Sequence, residues 1–276
     1  MAREEWFIQP GESRIIDIDD VRALKVALVG GHVDVVGHDE PGARVEVHGV
    51  TGKSLKVVVD NGRLSVDHPQ ISWENFIDVF RWFKGGTSAD VSIAVPRSVR
   101  LNFGIVTAEG LVTGLENKAS VSTVSGALVV DACSDELTVN AVSGEVTVSD
   151  HDGAVWLHTV SGDATVSGSI DELTTDSVSG DLYADLRDVA AKVRMNSVSG
   201  NLTVRIPATP VEYRVSTVTG RLRLGDQEFR GIKGGFTGRF GAAEGIAIEL
   251  RANTVSGDVS VLPARVPAAP AAESLA

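Results

Sequence analysis

Three carboxylates recur at a fixed interval. Glu145, Asp163 and Asp181 lie 18 residues apart, and each directly follows a glycine. If residues one interval apart fold side by side, the three form a row of like charges. Such a row raises the pKa of its members or recruits a cation. β-Helical polysaccharide lyases and hydrolases use acidic clusters in this way, some with Ca²⁺, an analogy that rests on fold alone. The same position is Ala127, Asn201, Arg221 and Asp258 in other copies. With the row so interrupted, the simpler reading is a solvated edge whose charges block sheet-to-sheet aggregation.

No other chemistry-bearing residue forms a recognisable constellation. The six histidines are His32, His38, His48, His68, His151 and His158, and no pair has metal-ligand spacing such as H-E-x-x-H. His158 fills a slot that is Asn140, Asp176 and Asn196 in neighbouring copies, so it reads as a polar stacking residue. Cys133 is the single cysteine, which excludes an intramolecular disulfide and reads as a small buried hydrophobe. Neither Gly30-Gly31 nor Gly234-Gly235 is followed by G-K-[ST], and the serines lack a G-x-S-x-G elbow. The chain therefore reads as non-enzymatic, with no catalytic, cofactor or metal residues to assign.

What must position the carboxylates is a repeat. The segments TVSGALVV, AVSGEVTV, TVSGDATV, SVSGDLYADL, SVSGNLTV, TVTGRLRL and TVSGDVSV place glycines at Gly126, Gly144, Gly162, Gly180, Gly200, Gly220 and Gly257. Their spacings are 18, 18, 18, 20, 20 and 37, so GIKGGFTGRFGAAEG reads as one degenerate or looped-out turn. Gly110 is the glycine of a weaker upstream copy. Apolar residues alternate with polar ones on both sides of each glycine, the signature of half-buried strands. Parity changes from odd at Leu137 and Val139 to even at Val146 and Val148, which requires a bend at Ser143-Gly144. A second, polar corner falls at Ser149–Gly153. The corner serine is expected to bond nearby backbone at the turn, and the glycine to adopt a conformation a Cβ would forbid. Thr123, Ala141, Thr159, Ser177, Ser197, Thr217 and Thr254 share one slot. Such strict recurrence suits stacked coils better than hairpins, because equivalent residues then stack on themselves. The expected fold is all-β: a single-chain parallel β-solenoid with coils of 18–20 residues.

The organisation follows. Residues 1–13 form an N-terminal extension, and 14–100 an atypical β region that covers the first coil. Residues 101–262 form the V-S-G solenoid, and 263–276, PARVPAAPAAESLA, a disordered tail. Within the β region, SWENFIDVFRWFK predicts a helix over 72–84, with Ser72 as cap and Gly85-Gly86 as stop. Trp73, Phe76, Phe80, Trp82 and Phe83 are five of the chain's 14 aromatics. That helix either caps the solenoid or docks a partner.

The formal net charge of −12 excludes nucleic acid as a partner in the absence of a Lys/Arg-rich run. No window approaches the roughly 20 apolar residues of a membrane span. The N-terminus lacks an apolar signal region, so the expected location is cytoplasmic.

The T-V-S-G-D-[VL]-x-V repeats, the strand-rich start around Leu28–Val59 and the late GGFTGRFGAAEG…NTVSGDVSV resemble a widespread bacterial family of unknown function. Its members are often labelled "putative adhesin". The resemblance implies a single-chain β-helix over roughly residues 20–262 and, from the setting of some members, a link to envelope-stress regulation. It implies no catalytic residues. The function expected is a scaffold with an unidentified protein partner. The alternatives are a carbohydrate-binding or carbohydrate-active β-helix, and a structural protein that self-associates by coil-end stacking, as bactofilin-like proteins do.

Overall fold

The computed structural model of the chain describes residues 3–68, 86–187, 192–207, 210–229, 234–240 and 248–263. The helix expected over 72–84 and the tail beyond Pro263 lie outside the described residues. Within them every regular element is a strand, and the strands join into one solenoid-like sheet.

Each repeat contributes one layer, and layers pair in parallel at the strand spacing of about 4.8 Å. Before the corner, Leu101, Ala119, Leu137, Val155, Leu173 and Val193 lie in register across successive strands. After the corner, Val112, Val130, Val148, Val166, Ala184 and Val204 do the same. Both columns are buried. The alternation of small aliphatic residues thus generates two inward rows per layer, and each buried Val or Leu contributes about 1.5–3 kcal/mol.

The corner is held by two hydroxyls. The Gly126 amide donates to Thr123 Oγ1 (3.1 Å), and Gly162, Gly200, Gly220 and Gly257 donate likewise to Thr159, Ser197, Thr217 and Thr254. This is why the slot prefers Thr or Ser. The V-S-G serine has a different task from the turn bond expected of it: it reaches the preceding layer. Ser143 Oγ donates to the Val124 carbonyl (3.0 Å) and Ser161 Oγ to the Val142 carbonyl (3.2 Å).

The corner glycine is required by close approach more than by backbone torsion. A Cβ on Gly162 would lie 1.9 Å from the Gly144 carbonyl oxygen, and one on Gly200 1.8 Å from that of Gly180. Among the seven corner glycines only Gly180 has a positive φ, +126°. Its layer is also the one in which the slot hydroxyl, Ser177 Oγ, is buried without a hydrogen-bond partner.

Four sequence expectations need correction. Gly110 is not a corner glycine: it pairs with Leu128, so Ala108 holds the corner position, and the Phe103 ring fills the space beside Gly110. The polar corner Ser149–Gly153 bends as expected, with a φ of +51° at Asp150, but it is not an unpaired loop: the strand Val146–Thr159 runs through it, with register shifts after Val148 and Gly153.

The third correction concerns the N-terminal region, which does not simply cover the first coil. The strand Ala23–Leu28 pairs in parallel with both Arg63–Asp67 and Arg100–Ile105, and Gly31–His38 with both Ser88–Pro96 and Glu109–Thr113. The first complete layer of the sequence is therefore the second of the stack.

The fourth is its mirror at the other end. The strand Ile248–Thr254 lies between Lys192–Ser197 and Val211–Thr217, and Val259–Pro263 between Leu202–Ile206 and Leu222–Leu224. The Gly257 layer is thus inserted between the Gly200 and Gly220 layers. The described part of the expected degenerate turn, Gly234–Phe240, lies antiparallel on Val211–Thr217. Antiparallel strands also close the first end, where Glu4–Ile8 pairs with Leu55–Asp60 and Arg14–Ile18 with Ala43–Thr51.

Candidate functional site

The stack brings Glu145, Asp163 and Asp181 into one exposed row beside the corner. The row extends through Asn201 and Asp258 to Arg221. From Asp163 to Asp258 its side chains accept hydrogen bonds from backbone. The Asp181 amide donates to Asp163 Oδ1 (2.8 Å) and the Asn201 amide to Asp181 Oδ1 (3.0 Å). The Asp258 amide donates to Asn201 Oδ1 (3.1 Å) and the Arg221 amide to Asp258 Oδ1 (2.8 Å). Each side chain therefore satisfies an N–H that the bend has removed from the ladder. Asn serves as well as Asp because both offer an oxygen acceptor. Among the described residues no cluster of three or more His, Cys, Asp or Glu is placed to hold a metal ion.

A second polar row runs on the other side of the corner. Asn196 Nδ2 donates to Asp176 Oδ1 (2.8 Å), and Asn253 Nδ2 to Asn196 Oδ1 (2.9 Å). His158 lies 3.3 Å from Asp176. Further along the same face Arg194, Arg251 and Arg214 are in register on three adjacent strands.

The buried titratable groups are closed off. Cys133 is buried, and burial pushes its thiol pKa up, away from a reactive thiolate. His151 is 1% exposed, with Nε2 3.2 Å from the Asp135 carbonyl oxygen, and desolvation lowers its pKa. His68 is equally buried, and desolvation depresses its pKa to about 4.

What sequence reasoning passed over lies between the two polar rows. Val142, Val160, Val178, Val198, Val255 and Val218 stand exposed at the corner, between 39% and 62% of their surface open. The Ser161, Ser179, Ser199, Ser256 and Thr219 amides donate to the carbonyls of Val142, Val160, Val178, Val198 and Val255, which fixes the valines one per layer in that order. Six consecutive layers thus present a valine ridge roughly 25 Å long at the strand spacing. A signal for it was present: Leu137, Val139 and Ala141 are the inward set, so the next even position, Val142, must point out. The corner motif masked that parity, because valine inside a β-repeat reads as core.

The Toastrack DUF4097 family model matches residues 24–262. Comparison with curated proteins finds no match. Among solved structures, a "putative adhesin" from Bacteroides fragilis NCTC 9343 is 14% identical, covers 92% of this chain and 100% of its own, and gives a TM-score of 0.45. A "putative lipid binding protein" from Parabacteroides distasonis ATCC 8503 is 11% identical over 92% of this chain and 98% of its own, with a TM-score of 0.43. A "putative adhesin" from Parabacteroides merdae ATCC 43184 is 12% identical over 94% and 99%, with a TM-score of 0.40. Similarity at this level carries no argument about function.

Proposed function

The chain belongs to the Toastrack DUF4097 family, and from that premise we propose that it is a non-enzymatic scaffold, a single-chain parallel β-helix that acts by binding a macromolecular partner along its valine ridge. One observation carries the reading. The polar side chains beside the corner are engaged in tying layer to layer, whereas six valines in line face solvent. Single exposed apolar residues need no explanation, but a contiguous apolar strip rimmed by polar residues marks an interaction site. The same engagement weighs against carbohydrate chemistry on the acidic row, since two of its three carboxylates, Asp163 and Asp181, already accept backbone hydrogen bonds.

The test is a photo-crosslinking residue placed at Val160 in the living host, with a control at Thr165, which sits after the corner. A discrete adduct at Val160 and none at Thr165 is the expected result. No adduct at any ridge position would sink the proposal. Asp163→Asn should leave the adduct intact, because the acceptor oxygen survives; its loss on that change, with the fold retained, would return the acidic row to consideration.

A further inference from the structure

We infer that the partner of the valine ridge is a second copy of this chain, docked antiparallel, ridge against ridge, about a twofold axis between Val178 and Val198. The inference deepens the scaffold reading and rests on it.

Periodicity is the first argument. The ridge valines advance by one layer, about 4.8 Å, whereas side chains on one face of an extended peptide recur at about 6.6 Å. A surface that stays in step with six layers must itself be a stack of layers, and the ridge supplies one.

Charge is the second argument, and it sets the direction. Residues 101–187 carry 14 Asp/Glu and 2 Lys/Arg, while 192–263 carry 6 and 10. Val142, Val160 and Val178 lie in the acidic layers, and Val198, Val255 and Val218 in the basic ones. A parallel pair of ridges would set acid against acid. An antiparallel pair sets Val142 opposite Val218, Val160 opposite Val255 and Val178 opposite Val198, with each acidic half against a basic half. It also brings Glu145 of one copy beside Arg221 of the other, twice by symmetry. Both side chains are exposed in the flanking row. Asp163 against Asp258 is the one like-charge meeting in that row, and it lies between favourable or neutral ones.

A twofold pairing of this kind is isologous and closes at two copies. It therefore differs from filament growth by coil-end stacking. The strip falls short of the roughly 800 Å² per partner of a standard interface. The dimer is accordingly weak and concentration-dependent, and salt weakens it by screening the flanking charges.

The experiment uses the full chain with one added cysteine. Native Cys133 is buried and stays silent. V142C and V218C proteins are oxidised separately and as a mixture. Antiparallel docking predicts a disulfide-linked dimer in the mixture and little in either protein alone. Rapid crosslinking of V142C with itself would overturn the antiparallel arrangement. Sedimentation gives the independent readout: Val160→Lys should raise the dimer dissociation constant about tenfold or more. Glu145→Arg should weaken the dimer, and adding Arg221→Glu should restore it. A protein that stays monomeric at every concentration, with no mixed disulfide, overturns the second-copy inference. If Val160 still yields a photo-adduct with another molecule, the ridge reading stands and only the partner changes. If it yields none, both fall.

Discussion

At the scale of single residues, the interior contains polar groups that do no visible work. Thr175 is 1% exposed in a column with Val139, Leu157 and Met195, and its hydroxyl has no hydrogen-bond partner. Thr175→Val keeps the shape and removes the orphan oxygen. We expect a gain of about 1 kcal/mol, read as a higher urea midpoint with an unchanged slope. His68 has the opposite lesson. Its folded pKa of about 4 lies below the ordinary value of 6.5, so the folded state resists the proton that the unfolded chain accepts. The stability from keeping it neutral is complete above pH 6.5. It is lost as pH falls toward 4, by up to about 3 kcal/mol. His151 is shifted the same way. Neighbouring Asp67, whose pKa burial raises above the ordinary 3.8, works against this trend as pH falls through that raised value. Melting temperatures between pH 7.5 and 4 should therefore fall more steeply in the parent than in His68→Leu; equal slopes would refute the assignment.

At the scale of the strand and corner, stability rests on how closely layers approach. Gly162→Ala would push a methyl against the Gly144 carbonyl, which must move together with the layers on either side. We expect a loss of about 2–4 kcal/mol. Asp163→Ala removes only an exposed acceptor and should cost about 1 kcal/mol. Calorimetry on the two variants would check that order, and a larger loss for Asp163→Ala would contradict it. This contrast also shows what could be read in advance. The strands and the bend were legible because period-two alternation and a parity change are local. The stacking of Glu145, Asp163 and Asp181 followed from the repeat alone. The reason for the glycine was not legible: its constraint is a carbonyl 18 residues away in sequence, and the sequence argument looked to its own torsions. The ridge was missed because an outward valine and an inward one are the same letter.

At the scale of the whole molecule, both end layers are interlocked. The Gly220 layer touches the rest of the stack through the Gly257 layer, which arrives later in the chain. A chain shortened to residue 247 should therefore lose order well upstream of the cut. Limited proteolysis should open it between residues 210 and 240 while the layers up to Gly200 resist; uniform resistance would show that the terminal layer is dispensable. This topology was not legible in the sequence, because the repeats do not encode which neighbour each will choose. Its consequence reaches into biosynthesis. A ribosome delivers the layers from first to last, and most can settle as they emerge. The far end cannot. Val211–Leu224 leaves the exit tunnel before the segment that will hold it, so it has to wait beside an open slot until the final strands slide in. Completion of the stack is thus deferred until Ile248–Pro263 has been made, and a chain that stalls short of that point carries an unpaired edge open to other nascent chains.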